Sequence, residues 1–229
     1  MRVKLTTMVV AACAAMILPG YGSIIVNPTG WSNNGGTIDY TFDRTFDNSG
    51  LDTALTTGQA VPGTLPLHAL PGNLNGGGGA YNFEDVAGRF TSLGGGTATL
   101  TYDLGGSYEL ESLLLWNGAE YWYAYYNGRG LAGATLEFST DGVTFSGSEV
   151  IAPARLPDVL TDFAAEEFTF ASPITAQYVR FSGLSNHDGS DAHTEISEVK
   201  FTAIPEPATL GMVALFGGGI LFLRRRLAI

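Results

Sequence analysis

Short stretches in which apolar and polar residues alternate recur between Ser23 and Ala203, separated by clusters of Gly, Asn, Asp and Pro. Alternation with a period of two is typical of strands that bury one face. We therefore predict strands at 37–42, 97–104, 108–116, 133–145, 166–171, 176–183 and 194–201. Because helical spacing never persists beyond two turns, the pattern predicts an all-β domain over residues 23–203, a β-sandwich of the jelly-roll kind.

Two glycine-containing pairs are predicted to connect these strands. Asp141-Gly142 accepts the positive φ of a primed turn, so 133–145 is predicted to be a hairpin. Gly105-Gly106 predicts a second hairpin or a tight corner. In the predicted strand 176–183, alternation directs Val179 and Phe181 into the core.

The N-terminal 22 residues have the order of a secretory signal peptide. Arg2 and Lys4 precede an apolar run over 8–18, and small residues follow it. Eleven apolar residues are too few to span a hydrocarbon core of about 30 Å as a helix. We expect cleavage after Gly22.

Cys13 offers a second interpretation of this segment. Val10-Ala11-Ala12-Cys13 has the form of a lipid-attachment motif, although the apolar run continues beyond it. Cys13 is also the only cysteine. After cleavage at Gly22 the mature protein would hold no disulfide and no thiolate metal site.

The C-terminal residues 204–229 combine three elements in a fixed order. Pro205-Glu206-Pro207 is followed by an apolar segment over 208–223, and then by Arg224, Arg225 and Arg226. As a helix, the apolar segment would measure about 24 Å, enough to cross a thinned bilayer. The positive-inside rule places the arginines in the cytoplasm and the body across the membrane.

This arrangement resembles the PEP-CTERM sorting signal of Gram-negative bacteria. The resemblance implies export, transient anchoring through the helix, and processing by an exosortase near the Pro-Glu-Pro motif. It also implies a destination in the cell envelope or in an extracellular polysaccharide matrix.

The charge of the body restricts the classes of molecule that it can bind. Six of the 11 basic residues and 21 of the 22 acidic residues lie between Ser23 and Ala203, so the body's formal charge is −15, against −11 for the whole chain. A surface this acidic repels phosphate backbones and excludes nucleic acid as a partner.

The body shows a second resemblance, carried by four segments in order. They are YDLGGSYELESLLLWN, GATLEFSTDGVTF, ITAQYVRFSG and EISEVKF, and the match spans Tyr81 to Phe201. Together they resemble discoidin, or coagulation factor 5/8 type C, domains. The resemblance implies a galactose-binding-like jelly roll with a structural calcium ion held by Glu198, and Asp85 is a candidate partner.

Aromatic residues concentrate between Trp116 and Gly130. Trp116 ends a predicted strand and is assigned to the core. The others would offer flat faces for sugar rings, and nearby polar side chains would bond hydroxyl groups. The alternative is that half of the tyrosines close the end of the sandwich. The ligand candidates in this segment are Asn117, Glu120, Tyr121, Trp122, Tyr123, Tyr125, Tyr126 and Arg129.

The segment 185–195 is predicted to be a neighbouring loop. His187 and Asp188 are further ligand candidates, and with Asp191 and His193 they offer metal ligands. Asp188-Gly189-Ser190-Asp191 is equally ordinary turn chemistry.

Catalytic motifs are missing from the sequence: it contains no G-x-S-x-G, no H-E-x-x-H and no phosphate-binding loop with its lysine. We therefore expect a non-catalytic protein that binds carbohydrate or matrix. The alternative is a structural biofilm or envelope protein without a specific ligand pocket.

Overall fold

The strands of the protein pair antiparallel and form one folded sheet, with a separate two-stranded pair beside it. The computed structural model describes residues 22–35, 37–39, 42–69, 88–91, 98–118, 127–157, 161–189 and 193–205. The strands are β1 (Ile24–Val26), β2 (Gly30–Asn34), β3 (Thr37–Asp39), β4 (Leu67–His68), β5 (Gly88–Thr91), β6 (Thr99–Asn117), β7 (Leu131–Ser139), β8 (Ser146–Ile151), β9 (Phe163–Ala164), β10 (Glu166–Asn186) and β11 (His193–Ile204). Short 3-10 helices cover Phe42–Thr45 and Asn127–Arg129. The prediction of an all-β body is confirmed.

Two long strands, β6 and β10, join the two halves of the folded sheet. One half contains β1, β3, β5 and β11, and the other contains β7 and β8. The first part of β6 pairs with β2, the second part pairs with β11, and β10 accompanies both parts. The second part of β10 also pairs with β7, which pairs with β8. In the half that contains β11, this strand pairs with β1 and β5, and β5 pairs with β3.

A large apolar core lies between the two halves. Val179 and Phe181 are fully buried in it, so the predicted inward positions of β10 are confirmed. The Tyr102 hydroxyl donates a hydrogen bond to Thr45 Oγ1 at 3.0 Å, which satisfies a buried polar group. Other members of this core are Leu100, Leu104, Leu113, Leu115, Leu136, Phe138, Val199 and Phe201.

A second, smaller core lies on the opposite face of β6. Leu114 and Trp116 pack there against Ile25, Leu55 and Phe163. Trp116 is fully buried, and its indole N–H donates to the Pro66 carbonyl at 3.0 Å. The assignment of Trp116 to the core is confirmed.

The Gly105-Gly106 pair does not make a hairpin. β6 runs through it as one strand, and the pairing with β10 shifts register between Ala176–Tyr108 and Tyr178–Asp103. Gly105 has a φ of 73°, and a Cβ on it would lie 2.9 Å from Thr29 side-chain atoms. Of the two predicted alternatives, the hairpin is wrong, because β10 continues to pair on both sides of what is a bulge in β6.

The hairpin predicted at Asp141-Gly142 is confirmed, with a longer connection between its strands than expected. β7 and β8 form the predicted hairpin, and Gly142 has a φ of 73°. The carboxylate of Asp141 accepts hydrogen bonds from the backbone N–H groups of Val143 and Thr144, each at 2.8 Å. These bonds hold the pKa of Asp141 at about 2. The second strand therefore begins at Ser146 rather than directly after the glycine.

Several predicted features lie outside the described residues. They are the signal peptide apart from Gly22, the apolar segment 208–223, the residues Glu206, Pro207, Arg224, Arg225 and Arg226, and the candidates Glu120, Tyr121, Trp122, Tyr123, Tyr125, Tyr126 and Asp85. Across the described ranges, no helix reaches the length and apolar character that a membrane crossing requires.

Candidate functional site

Asn117, the last residue of β6, fastens the base of the aromatic segment. Its Oδ1 accepts hydrogen bonds from the N–H groups of Leu131 at 2.7 Å and Gly118 at 2.8 Å. Its Nδ2 donates to the carbonyls of Leu131 at 2.8 Å and Ala154 at 3.1 Å. A carboxamide offers two donors and two lone pairs, so all four are used here. Asn117 is buried and holds the loop base, with no hydrogen-bonding capacity left for a ligand.

Two glycines allow the chain segments at this base to touch directly. A Cβ on Gly118 would lie 2.3 Å from the Glu195 carbonyl oxygen, and a Cβ on Gly130 would lie 2.7 Å from the Gly118 carbonyl oxygen. Gly130 and Glu195 also form an isolated parallel bridge. Any larger residue at either glycine would separate the ends of the aromatic segment from β11.

Arg129 extends across this base towards β11. Its Nη1 lies 4.0 Å from Glu195 Oε1, and both side chains are largely buried, at 13% and 4% exposed. This separation places the guanidinium beside the Glu195 carboxylate, near the start of β11. Glu195 was not among the predicted site residues, because an acidic residue at the start of a strand does not stand out in an acidic sequence.

The 185–189 loop is attached to the same base. The backbone N–H of Asp188 donates to the Gly128 carbonyl at 2.8 Å, and that of His187 donates to the Gly130 carbonyl at 3.3 Å. Asn186 Oδ1 accepts from the N–H of Gly189 at 2.8 Å, which closes the turn. Residues predicted from two separate stretches, Arg129 on one and His187 and Asp188 on the other, therefore belong to one junction.

The polar side chains at this junction differ in solvent exposure and in hydrogen bonding. Asp188 is exposed, whereas His187 is half-buried. His187 Nε2 is a buried atom without a hydrogen-bond partner among the described residues. A neutral imidazole donates through one nitrogen and accepts through the other, so it complements a hydroxyl group. Asn117, Gly118, 128–131, 186–189 and Glu195 together form the loop junction.

Glu198, the candidate calcium ligand, is fully buried on β11. Its Oε1 forms an ion pair with the Lys200 ammonium and accepts a hydrogen bond from the Asn48 N–H at 3.2 Å. Burial raises the pKa of Glu198 to about 7, and the adjacent ammonium opposes that rise. Calcium takes six to eight oxygen ligands. A carboxylate already paired with a buried ammonium does not fit that ion, and the proposed partner Asp85 lies outside the described residues.

The described residues hold no group of three or more His, Cys, Asp or Glu side chains placed to bind a metal ion. Asp191 lies outside those residues, and so does the side chain of His193. The alternative of a His/Asp metal cluster in this segment stays a prediction.

No protein-family model matches the sequence, and no curated protein matches it. Solved structures of similar shape exist. The CBM32 of AlyQ in complex with 4,5-unsaturated mannuronic acid is 17% identical at a TM-score of 0.40, covering 78% of this chain and 97% of that one. A family 32 CBM from C. perfringens NanJ in complex with galactose is 15% identical at a TM-score of 0.38, covering 78% and 99%.

Two further similarities differ in coverage. The lectin binding domain of Lectinolysin, as a histidine mutant complexed with Lewis b, is 13% identical at a TM-score of 0.43, covering 76% of this chain and 91% of that one. The chain spans 34% of a truncated AlyQ with CBM32 and alginate lyase domains, at a TM-score of 0.41 and 17% identity over 81% of this chain. All of these TM-scores lie below 0.5.

Proposed function

We propose that this chain is an exported, non-catalytic protein that binds carbohydrate through the loop junction and the aromatic residues between Gly118 and Gly128. The observation that carries the proposal is the pair of backbone hydrogen bonds from His187 and Asp188 to the carbonyls of Gly130 and Gly128. They join two stretches that the sequence marks separately as rich in ligand-binding side chains.

The chemistry of these stretches suits a hydroxyl-rich ligand. The segment between Gly118 and Gly128 contains Trp122 and four tyrosines. Asn117 holds its Gly118 end, and the Asp188 N–H donates to the Gly128 carbonyl at the other end. Aromatic faces stack on sugar rings, and anchored ends reduce the entropy lost when a loop orders around a ligand.

A glycan array probed with the purified full-length chain tests this proposal. We expect a saturable signal on a small set of glycans. Trp122→Ala should weaken it about tenfold or more, equivalent to ~1.4 kcal/mol, because a stacking face is lost.

The matched control is Tyr178→Ala, which removes an aromatic ring at a distance from the loop junction. Tyr178 pairs with Ser139, at the opposite end of β7 from Leu131, roughly 26 Å away at 3.3 Å per residue. Binding should survive this change. Equal loss in both variants, or an array without any saturable signal, would rule out the loop junction as a glycan site.

A second candidate function is a structural role in an envelope or biofilm, favoured by the net charge of −11. Bulk charge acts without a pocket and is screened by salt. Association with matrix that falls steeply with ionic strength, and that Trp122→Ala leaves unchanged, would support this candidate over the first.

We also propose that residues 204–229 are a sorting signal that an exosortase cleaves near Pro205-Glu206-Pro207. β11 ends at Ile204 and Pro205 follows directly, so cleavage after this point would leave the last described strand intact. Expression in a Gram-negative host that contains an exosortase, followed by mass spectrometry of the exported chain, tests this. We expect a product that lacks Arg224, Arg225 and Arg226, and an exported product that retains them would contradict it.

A further inference from the structure

Strand β11 places a lysine and a glutamate of opposite charge in a fully enclosed position. Glu198 and Lys200 are two residues apart and therefore lie on the same face of the strand. Both are fully buried. Charged side chains are rarely enclosed unless they are paired, so the arrangement calls for a structural reason.

The pair connects β11 to the turn that follows the first 3-10 helix. The Lys200 ammonium donates to the Phe46 carbonyl at 2.5 Å and forms an ion pair with Glu198 Oε1. The same carboxylate oxygen accepts the N–H of Asn48, a residue with a φ of 68°. Asp47 lies close enough to influence the titration of both groups. The ammonium is therefore the positive charge at the centre of a carbonyl and carboxylate cluster.

The ligands of this ammonium are the kinds that a hard divalent cation takes. Calcium in proteins is held by carboxylates, backbone carbonyls and water. Here a backbone carbonyl and a carboxylate converge on a nitrogen that the chain itself supplies. Glu198 Oε2 is buried without a partner among the described residues, so the cluster retains unused negative charge.

We propose that the Lys200 ammonium is the structural cation of this fold, and that it keeps divalent cations out of the Glu198 site. A second positive charge cannot enter beside a buried ammonium without strong repulsion, since that repulsion is weakly screened in the interior. The domain then needs no calcium at this site, because the ion pair itself holds the Phe46–Asn48 turn against β11. Removing the ammonium should convert the cluster into a cation site.

Thermal unfolding of the full-length chain, with calcium and with a chelator, tests this inference. For the unmodified chain we expect no calcium-dependent change in Tm that depends on Glu198, so it and Glu198→Gln should respond to calcium equally. Lys200→Ala should lower Tm in chelator by roughly 10 °C, because a buried carboxylate loses its counter-charge. Calcium at millimolar concentration should restore several degrees of that loss, through binding to the folded state.

The double variant Lys200→Ala/Glu198→Gln is the matched control. It has the same vacated space but lacks the carboxylate charge, so calcium should not restore its Tm. The inference is overturned if calcium stabilises the unmodified chain in a Glu198-dependent way, or if Lys200→Ala responds no more than the double variant does. Should Lys200→Ala not fold in chelator, recovery of its β-sheet circular dichroism by calcium is the expected result. Failure to recover would count against the inference.

Discussion

The two halves of β6 differ both in sequence and in surroundings. In the first half, Thr99–Leu104, buried and partly exposed positions alternate, with Leu100, Tyr102 and Leu104 inward. In the second half every residue from Ser112 to Asn117 is buried. One strand therefore begins with one face against the core and ends with both faces covered.

The difference arises from a segment that is distant in sequence. Residues 51–68 lie over the outer face of the second half, where Leu55 packs on Leu114 and Trp116. Backbone hydrogen bonds at 2.8 Å, from Ile25 to Gln59 and from Gly58 to Ile25, fasten this segment to β1. Alternation shows which face of a strand meets the main core. Whether the other face is exposed depends on what the rest of the chain places over it.

The largest effect should come from truncating the side chain that anchors this cover. Trp116→Ala removes the largest residue of the second core and leaves the Pro66 carbonyl without its donor. We expect a loss of about 3–5 kcal/mol in the free energy of unfolding. Urea unfolding followed by circular dichroism measures it, and a loss below about 1 kcal/mol would mean that the cover is not tightly packed.

Neighbouring leucines on opposite faces allow a direct comparison. Leu113 packs in the main core and Leu114 in the second one, and both are fully buried. If both faces are closed, Leu113→Ala and Leu114→Ala should each cost about 2–5 kcal/mol. An exposed face would tolerate Leu114→Ala within about 0.5 kcal/mol, so the same unfolding experiment separates the two cases.

Local patterns predicted the parts of the fold that local chemistry decides. The inward positions of Val179 and Phe181 and the hairpin at Asp141-Gly142 follow from side-chain alternation and turn chemistry. The bulge at Gly105 did not, because only pairing with β10 on both sides distinguishes a bulge from a turn. The covering segment was also missed, since its apolar residues show no period.

The candidate site shows the same limit. The residue types around Asn117, Arg129 and His187 mark a polar and aromatic region in the sequence. The sequence did not show that all four hydrogen-bonding positions of Asn117 are used within the protein. Its partners include Leu131 and Ala154, and Ala154 is 37 positions away along the chain. Nor did it single out Glu195, whose contact with Arg129 depends on β11 lying beside the loop base.

His68, which contacts the second core, should make the folded state less stable in mild acid. It is buried beside Phe163, its Nδ1 lies 2.8 Å from the Ala69 carbonyl, and its Nε2 has no partner among the described residues. Burial lowers its pKa from 6.5 to about 4. Between these values the unfolded chain binds the proton and the folded chain does not. The stability contributed by His68 is therefore complete above pH 6.5 and declines as the pH falls towards 4.

Urea unfolding at pH 7 and at pH 5, for the unmodified chain and for His68→Phe, measures this effect. The variant isolates His68 from the opposite contribution of Glu198, whose pKa is raised to about 7. We expect the unmodified chain to lose about 2 kcal/mol more than His68→Phe on going to pH 5. If both proteins lose the same free energy of unfolding, the His68 ring accepts a proton in the folded state without unfolding.

The smallest effect should come from the outer face of the first half of β6. Thr101 lies there between Ser32 of β2 and Arg180 of β10, and its side chain is only half-buried. Thr101→Ala removes no core contact, so we expect the free energy of unfolding to change by about 0.5 kcal/mol or less. A cost near that of Leu114→Ala would mean that another segment covers this face as well. The contrast between the two halves of β6 would then disappear.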